Sequence, residues 1–595
     1  MPGIRRGPLL LLLLLGLPSG AAALAPLLEP GAAPRHVEQW GRFEASVRVS
    51  PAPANPFDPA EIDLRAVFEA PDGRRLEAIG FWYQGFARAL ASGREVLAPV
   101  GEPGFRVRFT PDQPGAWRWH WTVATPAGRA ESATERFSVG ASRRPGFLRR
   151  SVHDARHLAF DDGTSFFAVG ENTGWYDARG SFAYDVWFGR LAEQGANYGR
   201  LWMPSWAFGI EWSETGLGQY RERLGRAWQL DTVLETAERE GIYVMLSLLN
   251  HGAFSTFANP EWAQNPYTAE NGGPLDFPAD VFTNETARAL LERRFRYVVA
   301  RWGWSTHVLA WELWNEVDLV SVVYPAADVA RWHGALAETL RSLDPHDHLI
   351  TTSHAIRTNH RGVWNEPGID FTQIHFYADS FPVRKNLVQN VTAWTAERLA
   401  ATGKPVLFGE LGVDSRGPAE TRAADPEGIG VHDGLWAGAV SGGIGTAMSW
   451  WWDNLIDLEP ERYYPMFGAV ARFVRGVAFD REGFVPLAGA AVTGAARPVV
   501  AYGLAGERTW LVWLKDDAFQ WFAPESAVVA GATLELAGIE GAWCVRFYDT
   551  WRGSWGPRTP AVARGGRLAL AVPDFAGDLA LRLSRGCGRQ ATPGR

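Results

Sequence analysis

Two glutamates, each at the polar end of an apolar run, carry the chemistry that this chain can do. One closes Val308-Leu-Ala-Trp-Glu-Leu-Trp-Asn-Glu316, and the other sits in Pro405-Val-Leu-Phe-Gly-Glu410-Leu-Gly412. An apolar run with a polar end reads as a buried barrel strand whose C-terminal tip opens on a site. A carboxyl held there among aromatic rings loses solvation, and its pKa rises. A general acid working near neutral pH needs that rise. Two such carboxyls facing each other suit cleavage of a glycosidic bond, in which one protonates the leaving oxygen. At a separation of about 5–5.5 Å the second acts as nucleophile, and the configuration at the anomeric carbon is retained. Glycines 409 and 412 leave room for a ligand beside Glu410. Alternation predicts that Val406, Phe408 and Glu410 share a face, and that Glu312 lies below Glu316 in a structural role. Either glutamate alone could instead be an ion-pair partner or a strand end meeting water.

The elements that must position these residues begin after Ser142-Arg-Arg-Pro-Gly146, where strand and helix patterns start to alternate. Strands are expected at 165–170, 197–202, 242–249, 308–316, 348–352, 371–377, 405–410 and 446–452. Amphipathic helices are expected between them, several closed by Gly or stopped by Pro. Eight strands in a βα order predict a (β/α)8 TIM barrel over residues 147–476, so the fold class is α/β. The glutamates then end strands four and seven. Residues 34–141 read as an immunoglobulin-like β-sandwich, with Phe105-Arg-Val-Arg-Phe109 and Trp117-Arg-Trp-His-Trp121 alternating strictly. Their arginines are expected on the solvent face. This module could bind carbohydrate, but a packing role is favoured. Residues 480–590 read as a small C-terminal β-domain, with Thr509-Trp-Leu-Val-Trp-Leu514 as one of its strands.

Trp-Asn-Glu at the end of strand four and Gly-Glu-Leu-Gly at the end of strand seven resemble the paired motifs of the clan A glycoside hydrolases. The type is family 5-like (cellulase/mannanase). The resemblance covers the barrel and implies a retaining double displacement, with Glu316 as acid/base and Glu410 as nucleophile. It also implies substrate-site roles for Arg200, His251, Asn315, His375 and Tyr377. Arg200 would keep Glu410 ionised, Asn315 would bond a sugar 2-hydroxyl, and Tyr377 would donate to Glu410. From strand eight one of Trp450, Trp451 and Trp452 should floor the sugar site, with Trp451 preferred. Glu171 and Asn172 could also touch substrate. The N-terminal part resembles the uncharacterised sandwich modules that precede such barrels.

Composition narrows the alternatives. The net charge is −8 and no basic run occurs, which argues against nucleic acid as a partner. Twenty-nine tryptophans exceed ordinary core needs and suit stacking on pyranose rings. Arg5-Arg6, the leucines of 9–15 and the small residues through Ala23 read as a signal peptide over 1–25. A secreted or periplasmic protein with no membrane span after signal removal is therefore expected, acting on a polysaccharide or oligosaccharide. Cys544 and Cys587 could pair or remain free thiols. No cofactor is implied. A metal site built from His251, His354, His360 and His375 lacks any recognisable ligand motif. The other reading is a non-catalytic carbohydrate-binding or scaffold protein on the same barrel.

Overall fold

The computed structural model describes residues 25–323, 325–357, 361–380 and 385–587. The expected leader, apart from Ala25, and His360 lie outside them. An N-terminal sandwich, a barrel and a C-terminal β-region follow in that order.

The sandwich packs two sheets. One joins Leu27–Pro30, Phe43–Ser50, Arg94–Phe109 and Phe81–Ala91, and the other is built around Gly115–Thr125 and Asp63–Glu69. Phe43, Phe68, Trp117, Trp119, Trp121 and Phe137 fill the space between them. Strict alternation puts those tryptophans inside, as the sequence predicts. Arg108 departs from the expected solvent face. It is buried against the barrel, bonded to Glu44 and to Asp231 of the helix Leu224–Glu240. A buried guanidinium is tolerable only when its charge is matched. Asp231 supplies that match and is shared with Arg301.

The barrel's parallel strands are Gly170–Asn172, Tyr198–Trp202, Tyr243–Ser247, Val308–Glu312 and Leu349–Thr351, then Thr372–Tyr377 paired with Val406–Gly412. The backbone N–H of Asp370 donates to Ile350 O at 2.8 Å and bridges strands five and six. Two expected strands differ. Residues 165–166 belong to a small antiparallel sheet with Leu148–Arg150 and Leu158–Phe160, so barrel strand one starts later, at Gly170. The turn at Asp161-Asp162-Gly163 folds this sheet under the barrel. Phe160 and Phe166 there join the inward-facing Met245, Leu349, Phe371 and Leu407.

Strand eight is not a regular strand. Residues 444–449 are extended and bonded on both sides: Thr446 N–H donates to Ala168 O at 2.9 Å, and Met448 N–H to Phe408 O at 2.9 Å. These bonds close the barrel. Trp451 then turns left-handed (φ 67°), and Trp452–Ile456 forms a π-helical turn. Three successive indoles cannot alternate between two crowded layers, and the turn splays them.

Helices Phe182–Glu193, Leu224–Glu240, Glu285–Trp302, Ala326–Leu343, Leu387–Thr402, Ile429–Ala439 and Pro460–Val474 pack around the strands. The C-terminal region is a six-stranded sheet over smaller ones, with Trp510, Leu514, Leu534, Trp543 and Leu581 in its core. Cys544 and Cys587 form a disulfide across 43 residues.

Candidate active site

The buried guanidinium of Arg200, from the second barrel strand, lies at the centre. It holds Glu312 through two bonds, Nε–Oε2 at 2.7 Å and Nη2–Oε1 at 2.8 Å. Its Nη1 donates to Glu410 Oε1 at 2.6 Å and to Asn172 Oδ1 at 3.1 Å, and Nη2 donates to Asn315 Oδ1 at 2.6 Å. One cation thus fixes four strands. Burial works against its charge, but Glu312 and Glu410 more than offset that, so its pKa lies above the ordinary arginine value. Gln373 Nε2 donates to Glu312 Oε1 at 3.0 Å, which keeps Glu312 in the structural position expected of it.

Glu410 reaches this centre by a route that alternation did not predict. Val406 and Phe408 point outward into the helix layer, where Phe408 stacks parallel to Trp394. The register against strand six slips at Gly409: Ile374 faces Phe408, and His375 faces Glu410. This β-bulge turns Glu410 inward. Gly409 is required there, because a Cβ would lie 2.2 Å from Gln373 Oε1 and 3.0 Å from His375 Nε2. The Tyr377 hydroxyl donates to Glu410 Oε2 at 2.7 Å.

Glu316 enters from the opposite side. Strand four ends as regular structure at Glu312, and Asn315 then bridges Asn250. Glu316 itself is left-handed, at φ 53°. A non-glycine residue there stores on the order of 1 kcal/mol, a cost often found at functional positions. Its N–H donates to Ser353 Oγ at 3.0 Å, which holds the turn. Oε1 lies 3.0 Å from His375 Nδ1, and Oε2 lies 3.4 Å from His251 Nδ1.

His375 Nδ1 is also 3.6 Å from Glu410 Oε1, so one imidazole stands between the two carboxyls. Burial lowers the His375 pKa to about 4, leaving the ring neutral at pH 7. A protonated Glu316 can therefore donate to Nδ1, and an ionised Glu316 can accept from the other tautomer. An oxygen of Glu316, a nitrogen of His375 and an oxygen of Glu410 lie within 4.8 Å of one another. Among the described residues this is the one set with the spacing of metal ligands. The guanidinium on Glu410 opposes a second cation there. His354, offered as a ligand with these histidines, instead packs its ring on Trp364, 4.9 Å away.

Burial raises both carboxyl pKa values above 4.5. His251 and Arg200 pull Glu316 back, and His375, Arg200 and Tyr377 pull Glu410 back, without reversing either shift. The pull expected of Arg200 is present, but burial outweighs it. For a reaction that needs Glu410 ionised and Glu316 protonated, both limbs of the pH profile then lie above 4.5. kcat/KM falls as pH drops through the lower pair value and as it rises through the upper one. Stability has its own sign. The native carboxyls keep protons that the unfolded chain releases, so their contribution declines as pH rises from 4.5 through the raised values. Glu316→Gln should melt above wild type at pH 8 and level with it at pH 4. An equal melting difference at both pH values would contradict the assigned burial.

Arg200, His251, Asn315, Glu316, His375, Tyr377 and Glu410 are thus brought together. Trp451 is not joined to them by any described contact. Its indole N–H donates to Asp414 O at 3.2 Å. Trp450 is the better-placed ring: it lies 5.2 Å from Trp202, which is 6.2 Å from His251 and beside Arg200. Glu171 points away and is buried without a partner on either oxygen. Asn172 points inward and donates to Gly409 O at 3.0 Å. The sequence reading missed Gln373, Ser353 and Trp202. Alternation from His375 and Arg200 could have flagged Gln373 and Trp202, each two residues from an assigned one. Ser353 carried no signal.

Residues 163–431 match the family described as Cellulase (glycosyl hydrolase family 5), and residues 36–124 match a domain of unknown function, DUF5060. Among curated proteins, the chain is 25% identical over 295 residues to mannan endo-1,4-beta-mannosidase F of Aspergillus clavatus, covering 44% of this chain and 63% of the relative. It is 24% identical over 273 residues to mannan endo-1,4-beta-mannosidase A of Emericella nidulans, covering 43% and 68%. The chain spans between 44% and 79% of the length of the curated relatives it matches. Among solved structures, a candidate glycoside hydrolase of Bacteroides vulgatus superposes with a TM-score of 0.61 at 17% identity, covering 93% of this chain and all of the other. That likeness concerns the fold.

Proposed function

The barrel is a clan A, family 5-like glycoside hydrolase barrel, and from that premise we propose that the protein is a retaining β-glycoside hydrolase acting on a polysaccharide or its oligosaccharides. The observation that carries the reading is the approach of Glu316 and Glu410 oxygens to within 4.8 Å across the barrel mouth. That spacing suits a direct attack by one carboxylate and leaves no space for the intervening water of an inverting enzyme.

In the first half-reaction Glu410 attacks the anomeric carbon, and the bond to the leaving oxygen breaks as Glu316 gives that oxygen its proton. Arg200 and Tyr377 hold the two Glu410 oxygens, so one lone pair is aimed and the carboxylate cannot swing away. In the second half-reaction Glu316, now ionised, takes a proton from water, and that water displaces Glu410. His375 and His251 meet Glu316 in either protonation state. Asn315, anchored by Arg200, offers its amide N–H to a sugar hydroxyl. Trp450 and Trp202 provide the apolar face on which a pyranose ring stacks.

The leader-like run within residues 1–25 supports a secreted or periplasmic location for this activity. No helix among the described residues is long and apolar enough to cross a membrane. The relatives make β-1,4-mannan the first substrate to test, beside β-1,4-glucan and β-1,4-xylan. Proton NMR of the first products should show the β-anomer ahead of mutarotation. An α-anomer appearing first would replace double displacement with inversion. Binding of a glycan by calorimetry with no product over days would favour the non-catalytic reading.

A further inference from the structure

The sandwich sends an arm onto the barrel. Its long hairpin, Phe81–Ala91 with Arg94–Phe109, extends along the helix Leu224–Glu240 and ends on the loop that follows barrel strand one. Phe86 lies 6.2 Å from the ring of Trp228, and the hairpin turn brings Glu95 over residues 178–181.

Glu95 is the main tie. Its backbone N–H donates to Ala178 O at 3.0 Å. Its side chain accepts from Ser181 N–H at 2.8 Å, from the Ser181 hydroxyl and from Gln229 Nε2. Gln229 in turn accepts from the Tyr176 hydroxyl at 3.1 Å. Arg88, also on the arm, donates to Asp185 Oδ2 at 2.7 Å and to Ser181 Oγ at 3.0 Å. Gly180 makes the approach possible. It has φ 59°, and a Cβ there would sit 1.8 Å from Glu95 Oε2. A carboxylate with this many donors around it locks the loop far more tightly than one exposed ion pair would.

The clamped loop carries Trp175. Its ring lies 5.4 Å from Trp202, 5.8 Å from Trp450 and 5.2 Å from Trp206. Trp202 and Trp450 belong to the catalytic pocket. Trp206 is 43% exposed. The indoles therefore run in sequence from the carboxyls to solvent, and Trp175 is the link between the inner pair and the outer ring. Nothing in the barrel's own chemistry requires an exposed tryptophan at that point.

We propose that the N-terminal module is part of the substrate cleft: its hairpin arm, through Glu95, positions Trp175 so that Trp175 and Trp206 form an outer subsite for the pyranose rings of a β-glycan. Glu95 is a positioning residue that touches no sugar. The proposal rests on the glycan-directed reading of the site, but it concerns binding and not turnover.

Binding and kinetics on the full chain test it together. Mannohexaose and cellohexaose serve as probes in calorimetry, and an aryl β-mannoside and β-glucoside report on the inner pocket alone. For Glu95→Ala the Kd of the hexaose that wild type binds should rise about tenfold, as loss of one aromatic platform would require. The KM for that hexaose should rise in parallel, while kcat and aryl glycoside turnover stay within about twofold of wild type on the same scale. Trp206→Ala, at a ring that is 43% exposed, should raise the hexaose Kd by a similar factor. Unchanged hexaose affinity in both variants would overturn the proposal, and so would an equal loss on hexaose and aryl glycoside. If wild type binds neither hexaose, the outer subsite does not exist. If it binds one in a Glu95-dependent way but cleaves nothing, the hydrolase reading fails and the subsite stands.

Discussion

Glu410→Ala should lose at least ~10⁴-fold in kcat/KM on any aryl glycoside that wild type cleaves, about 5 kcal/mol of transition-state stabilisation. The variant should still fold, because Arg200 keeps its two-bond partner Glu312. The substitution removes the atom that would form the glycosyl bond and leaves a gap beside the anomeric carbon. Azide is small enough to enter that gap and attack from the same side. The product expected on rescue is the α-glycosyl azide, inverted relative to the substrate. Glu316→Ala makes a contrasting prediction. With a dinitrophenyl leaving group no proton is needed, so the first half-reaction survives and the intermediate accumulates. Azide then resolves it to the β-glycosyl azide. The two variants thus give opposite anomers from one reagent, which no loss of folding could imitate. A β-azide from Glu410→Ala would exchange the assigned roles. Full activity in both variants would remove the two-carboxyl mechanism altogether.

The pairing of these two groups could be read from the chain because barrel strands are apolar runs with polar tips, and both tips are intact in Trp-Asn-Glu316 and Gly-Glu410-Leu-Gly. Helices were legible for a related reason: Glu285–Trp302 has an Asn284 cap that accepts from Ala287 N–H, and Leu387–Thr402 ends on a left-handed Gly403. What the sequence concealed are local breaks of period. A glycine inside a strand signals either a bulge or the close approach of a ligand, and Val406-Leu-Phe-Gly-Glu410 does not say which. The space at this glycine suits a ligand on sequence grounds, but in the fold it is taken up by Gln373 and His375. The three indoles of 450–452 looked like strand because aromatic runs usually are, and crowding turned them into a left-handed step and a π turn instead. Arg108 looked solvent-facing because an arginine in an alternating strand usually is. Its partner, Asp231, lies 123 residues away on a barrel helix, and no local pattern carries that information.

The same kind of long-range pairing fixes the C-terminal region, and there it predicts the largest loss of stability. Lys515, on Thr509–Asp516, is fully buried with its Nζ 2.6 Å from Asp433 Oδ1 and 4.0 Å from Asp578 Oδ2. Asp433 and His432 come from the barrel helix Ile429–Ala439, and Asp578 opens the strand Asp578–Arg585, where it accepts from the indole N–H groups of Trp513 at 3.1 Å and Trp551 at 3.2 Å. His432 Nε2 meets both Asp578 oxygens at 3.1 Å, and its ring stacks 3.8 Å from that of Trp551. Burial raises the Asp433 pKa, and Lys515 only partly opposes it. For Asp578 burial works the same way, but His432 and Lys515 outweigh it and hold that carboxyl below the ordinary range. Lys515→Met keeps the apolar stem and removes the charge, stranding Asp433 in a dry interface. The expected cost is about 3–5 kcal/mol, the usual result of breaking a buried pair from one side. It should appear as a lower urea midpoint. Without the cation the Asp433 pKa rises further, so the penalty should be largest at neutral pH and shrink as acid protonates the carboxyl. Lys515→Met combined with Asp433→Leu should recover most of the loss, because an apolar pair of similar volume satisfies the same space without any charge to solvate. A double variant as unstable as the single one would mean that the packing of these side chains, and not their charges, holds the two regions together.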